Sequence, residues 1–311
     1  MSGLRLSQMS IRQMPGLFLA LAARLTRSND SQTGTAALKG ALNIWLALLA
    51  AYVALAPRSA VAQMAPPTWG NPDQPWGTRR PVTAADQALI ASYRSAGKAP
   101  VFQTNFTDPA ELQSQWLLQS DDNWSLMACR QPHSVVATPT GLQLRTQAAV
   151  GKCHAKWSTG FLISKSTYSY GLFEASIQAA DISGLNNAFW LVSVGNFEID
   201  IAEIHFPNDL HMTVHDWVSK TGDSVGFDSK LQGDFSKGFH DVGVLWTPTD
   251  IIWEVDGRAI AAIATRGAIS KPVDIRFSTA LAAFAGKVPD NPAGHHMAVR
   301  TLRVVRFEGA G

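Results

Sequence analysis

Three carboxylates, Glu198, Asp200 and Glu203, stand in the stretch FEIDIAEIHF, residues 197–206, among four aliphatic residues and two Phe, with no cation nearer than His205. Acids held close together among apolar neighbours repel one another and are poorly solvated, so one tends to keep a proton while another stays ionised. A proton donor and a nucleophile acting on one bond need that division of labour. At an acetal carbon the result is double displacement with retention, for which the two working carboxyls stand about 5 to 5.5 Å apart. Asp200, between the two glutamates, would hydrogen-bond the nucleophile. One of the two glutamates is therefore expected to start protonated and the other to be ionised.

The spacing also says what must carry these groups. On a strand, alternate residues share a face, so Glu198 and Asp200 point one way while Ile199 and Ile201 point into a core. Glu203 is out of phase and would be buried beside Ile201 at a cost of several kcal/mol. A β-bulge at Ala202 returns it to the face of the other two acids. The rest of the chain from Val101 onward agrees with a β-rich fold: short β-branched and aromatic runs alternate with turn residues. SVVATPTGLQLRT predicts a hairpin around Pro139 to Gly141, and TPTDIIWEVDGRAIAAIA predicts turns at Pro248 to Asp250 and at Asp256-Gly257. Helical heptads and internal repeats are absent from the sequence. The fold class expected is all-β, an antiparallel sandwich.

The 311 residues are 46% apolar and 16% charged with a net charge of +2, a globular composition without the basic, aromatic-laced run of a nucleic-acid binder. Residues 1–62 read as a leader. Arg5, Arg12, Arg24, Arg27 and Lys39 precede the uncharged run Ala41 to Ala56, and Ala60-Val61-Ala62 offers a cleavage site after Ala62. That run is short of the roughly 20 apolar residues of a span, so secretion or periplasmic export without stable membrane association is expected rather than an anchor. Residues 63–99, with Pro66, Pro67, Pro72, Pro75 and Pro81, read as a linker that wraps the domain or hangs loose, with a short helix near Ala84 to Ser95. The remaining domain spans 100–309. Cys129 and Cys153, the only cysteines, are expected to form a disulfide in an oxidising compartment, with a buried free pair as the alternative.

Several stretches in order carry a family resemblance. FEIDIAE is similar to the E-x-D-x-x-E signature of glycoside hydrolase family 16 in its bulged form, typical of laminarinases, agarases and carrageenases. KWSTGFLISK with SYGLFEASI, then GLNNAFWLV, HMTVHDW, FHDVGVLWTPTDIIWEVDG and VRTLRVVRFE resemble the family's other landmarks over about Val101 to Glu308. The resemblance implies a concanavalin A-like jelly roll with an open groove. It also implies Glu198 as nucleophile, Asp200 as assisting acid and Glu203 as general acid/base. Trp190 matches a cleft Trp that stacks on sugar, and His215 the histidine near the acids; Trp217 and Asn186 join them as candidate substrate contacts, and Trp124 and Trp157 are further candidate platforms or core residues. The chain departs from the family at Asn186, where a Trp is usual, at Ser176 in place of Arg, and at AFAG, residues 283–286, in place of a GG-x-W-x-G motif.

The expected function is a monomeric, secreted, endo-acting retaining β-glycosidase on a polysaccharide, β-1,3- or mixed β-1,3/1,4-glucan first, with galactan cleavage or transglycosylation as alternatives. No cofactor is expected, and no residue pattern reads as a structural calcium site. Two other classes compete. A glycan-binding lectin shares the jelly roll but needs no nucleophile beside an acid. A metallohydrolase could use His205, His211 and His215 with Glu203, yet HMTVH lacks the Glu of HExxH.

Overall fold

The computed structural model describes residues 73–74, 76–95, 97–218 and 223–308. The expected leader, the cleavage expected after Ala62 and the first residues of the expected linker fall outside the described residues. Among the described residues no helix is long and apolar enough to cross a membrane.

Among the described residues, twenty strands and two α-helices follow in chain order. They are β1 (Asp73–Gln74), β2 (Gly77–Arg80), α1 (Ala84–Arg94), β3 (Phe102–Thr104), α2 (Pro109–Gln115), β4 (Trp116–Leu118), β5 (Cys129–Arg130), β6 (Val135–Thr138), β7 (Gly141–Arg145), β8 (Gln147–Ala148), β9 (Trp157–Thr159) and β10 (Phe161–Ser164). Then come β11 (Gly171–Gln178), β12 (Leu185–Ser193), β13 (Phe197–His205), β14 (Asp209–Asp216), β15 (Ser224–Lys230), β16 (His240–Trp246), β17 (Asp250–Val255), β18 (Arg258–Ala264), β19 (Asp274–Leu281) and β20 (His296–Arg306). The three expected turns fall where the sequence places them. At the last of these, Asp256 and Gly257 both take positive φ, 50° and 77°, the turn whose twist matches an antiparallel hairpin.

Two antiparallel sheets form the sandwich. One runs β15-β14-β13-β12-β19-β10-β4; the other runs β1-β2-β18-β17-β16-β11-β20-β7-β6, with β3 also on β20. Their inner faces meet in one core that includes Phe173, Phe189, Ile199, Trp246, Trp253 and Phe277, all fully buried. Each such side chain contributes about 1.5 to 3 kcal/mol by leaving water, and the alternation that supplies it throws the intervening residues onto the outer face of the β13 sheet.

The segment before the sandwich wraps it, as far as it is described. β2 adds to the edge at β18, and α1 starts with a capping box between Thr83 and Asp86. Helix α1 lays Ile90 and Tyr93 on Leu172, Leu245, Ile252 and Val305 of the second sheet's outer face. Arg94, in its last turn, reaches Glu174, Asp241 and Glu254 at 2.6, 2.9 and 3.1 Å.

Cys129 and Cys153 are bonded, with their Cα atoms 6.0 Å apart. The bridge closes a loop of 24 residues, so its removal is expected to cost roughly 2 to 4 kcal/mol. Denaturant unfolding of the Cys129→Ser, Cys153→Ser double variant checks this; an unchanged midpoint would contradict it.

Candidate active site

Strand β13 carries the acids, and its register shows how. Glu198 pairs with His215 and Asp200 with Thr213, but the next partner across β14 is Glu203 with His211. Ile201 and Ala202 therefore oppose the single residue Met212, and both are buried in the core. This is the bulge the spacing called for, and it turns Glu203 to the face of Glu198 and Asp200. A bulge weakens the local ladder, and here the facing sheet compensates. The indole N–H of buried Trp253 donates to the Asp200 carbonyl at 2.9 Å.

Around the acids the same register assembles a polar face. The carboxylates of Glu198 and Asp200 and the His215 ring bring ligand-type atoms within 4.8 Å of one another. His215 Nε2 stands 3.1 Å from Asp200 Oδ2. The His215 ring stacks on Trp217 at 5.0 Å, and Trp217, 47% exposed, keeps a surface open to solvent. Asn186 donates from Nδ2 to Glu203 Oε1 at 2.5 Å. Trp190 sits across from Asp200 and Arg276; its indole N–H donates to Ser278 Oγ at 3.2 Å and its ring packs on Phe161. All seven candidate residues thus share one neighbourhood.

Other expectations fare differently. Trp124, 77% exposed, stacks on His154, and half-buried Trp157 packs beside Ala128 and Ile182, so neither touches the acids. His205, His211 and His215 do not form one ligand set: His215 turns to Asp200 while the rings of His205 and His211 contact each other. Sequence reasoning passed over Arg276, whose guanidinium lies 4.8 Å from the Trp190 ring centroid and is held by both oxygens of Asp274. The alternation Asp274, Arg276, Ser278 along β19 was the available signal.

The electrostatics correct one expectation. Burial, then the Asp200 charge, push the Glu198 carboxyl up to about 8, against the opposing pull of His215. Burial first, then Glu203, raise Asp200 well above the usual carboxylate range. Both carboxyls are thus pushed toward their protonated forms in the free site, against the expectation of a simply ionised Glu198. The reason is depth: Asp200 is 4% exposed, and two charges side by side at that depth are more costly than one. Burial also lowers the His215 pKa, which favours a neutral ring that can donate N–H to Asp200.

The raised values set a pH dependence of stability. A carboxyl with a raised folded-state pKa stabilises the fold fully below its unfolded value near 4.5, and the contribution is lost as pH rises through about 8. Glu198→Gln cannot ionise, so it should remove that slope and melt higher than the wild type at pH 8 to 9. With a gain on the order of 2 kcal/mol, Tm should rise by about 2 to 4 °C per kcal/mol. Melting curves from pH 4 to 9 check this; a variant that is less stable than wild type at every pH would contradict it.

With the acids in place, relatives can be compared. The family model for glycosyl hydrolases family 16 matches residues 123–299, more than half of the chain. The chain belongs to that family. Among relatives, it is 32% identical over 145 residues to the endo-1,3-1,4-beta-glycanase EglC of Rhizobium meliloti, covering 44% of this chain and 31% of EglC. It is 31% identical over 160 residues to ExsH of the same organism, covering 49% and 34%. The chain thus spans about a third of the length of these relatives. Among solved structures, the laminarinase catalytic domain of Thermotoga maritima superposes with a TM-score of 0.61 at 16% identity over 68% of this chain and 98% of that one. The endo-beta-1,3-glucanase of Pyrococcus furiosus gives 0.59 at 21% identity over 68% and 96%. At such identities the likeness shows the fold, an antiparallel jelly roll, and the family model shows the kinship.

Proposed function

We propose that this chain is a secreted, monomeric, endo-acting retaining β-glycosidase that hydrolyses internal linkages of a β-1,3- or mixed β-1,3/1,4-glucan. The observation that carries the reading is the single face bearing Glu198, Asp200 and Glu203, with Asp200 buried between two half-exposed glutamates. Glu198 attacks the anomeric carbon while Glu203 protonates the departing oxygen, and water deprotonated by Glu203 then releases the glycosyl-enzyme with retained configuration. A proton on Glu198 moves onto the deeper Asp200, which frees Glu198 as an anion as positive charge develops on the sugar. His215 steadies Asp200 from the other side. Trp217 and Trp190 offer apolar ring surface to a pyranose, and Asn186 orients Glu203.

The family membership and the likeness to the endo-1,3-1,4-beta-glycanases EglC and ExsH support glucan over galactan. A binding module would gain nothing from two acids made costly by burial. Export agrees with the leader-like residues 1–62 and with the disulfide, and an exported form whose N-terminus is Gln63 would match cleavage after Ala62. Reducing-end release from laminarin, lichenan, barley β-glucan, agar and carrageenan tests the substrate. Release from the β-1,3-containing glucans, with an early fall in viscosity, is expected. No release from any of the five would sink the reading, and release from the galactans alone would replace its substrate.

A further inference from the structure

Beyond Glu203, the same face carries three buried polar atoms without a hydrogen-bond partner among the described residues. His211 stands opposite Glu203 across the β13–β14 ladder, and His205 lies two residues further along β13. Asn186, on β12, adjoins the Asn187–Ile204 pair and already donates to Glu203. Asn186 Oδ1, His205 Nε2 and His211 Nε2 are all buried and have no hydrogen-bond partner among the described residues. Asn186 is 5% exposed and His205 9%. A buried polar atom left unpaired is costly, so three near one carboxylate call for a ligand.

The chemistry of the three atoms narrows the choice. Asp228 Oδ1 lies 2.6 Å from His211 Nδ1 and accepts its N–H, which leaves the His211 Nε2 lone pair free. A carboxylate behind an imidazole in this way is the usual support of a metal-bound histidine. The His205 and His211 rings contact each other, with centroids 4.5 Å apart, and Phe284 packs on His205 at 5.9 Å. Two imidazole nitrogens with an amide oxygen suit a late first-row cation, whereas calcium and magnesium take all-oxygen sets.

We propose that Asn186, His205 and His211 form a binding site for a divalent cation of the zinc class at the Glu203 end of the groove. This is not a hydrolytic centre, since His215 belongs to Asp200. An ion there takes space beside Glu203 that the departing sugar needs, so it inhibits hydrolysis reversibly; that consequence rests on the proposed activity, while binding itself does not.

The test is calorimetric titration of untagged, chelator-stripped full chain with ZnCl2, run beside CaCl2. One saturable zinc site is expected, weakened at least tenfold in His205→Gln and in His211→Gln, with Tm recorded for each. Zinc-edge absorption on the wild type should show two imidazole nitrogens at about 2.0 to 2.1 Å, a readout that needs no variant to fold. No saturable binding by the wild type, undiminished binding by both variants, a first shell without imidazole, or calcium bound as tightly as zinc would each overturn the site. If the protein cleaves none of the polysaccharides, the titration still stands or falls alone.

Discussion

Glu198→Gln is expected to lower turnover on the best substrate by several orders of magnitude, more than about 4 kcal/mol of barrier, while circular dichroism stays native. The amide keeps the shape of the side chain and its contact with Asp200 but cannot form the covalent bond to the anomeric carbon. Loss of activity with a gain in stability at pH 8 to 9 distinguishes a nucleophile held under strain of charge from a structural acid, whose removal would lower both. A variant that retains a tenth of wild-type activity would remove Glu198 from the role.

The second large effect separates the two glutamates by stereochemistry. Glu203 protonates the leaving oxygen, so Glu203→Ala should fail on polysaccharide yet still form the glycosyl-enzyme from an activated aryl β-glycoside, which departs unaided. Azide needs no general base, so it should then rescue turnover by several orders of magnitude and give the β-glycosyl azide. In Glu198→Ala, azide attacks directly from the vacated side and should give the α-azide. Product analysis by nuclear magnetic resonance reads the anomer. The opposite pattern would exchange the two roles, and rescue of neither variant would withdraw the retaining mechanism.

The site's make-up explains why these effects are separable. Asp200 is buried under the face, beside Glu198 and bonded to His215, so it tunes the nucleophile from below. Glu203, beyond the bulge, answers to Asn186 and faces the leaving group's end. Two acids on one strand thereby work in different surroundings.

The acids, their alternation and the need for a bulge were legible in FEIDIAEIHF, because strand periodicity is local and a buried unpaired Glu203 is too costly to leave in phase. The hairpins at Gly141, Asp250 and Asp256-Gly257 were legible for a similar reason: positive φ and turn chemistry are properties of two or three adjacent residues. The partners across strands were not. That Asp200 is the deepest of the three acids and is pushed with Glu198 toward the protonated form, that Trp253 from the opposite sheet holds the bulge carbonyl 53 residues away in sequence, and that Arg276 lies over Trp190 follow from register and sheet packing. Nor could a string of residues say that His205 and His211 would meet while His215 turned to Asp200. Electrostatics and unpaired atoms depend on burial and on distances between strands, and those exist only once the two sheets have closed on one another.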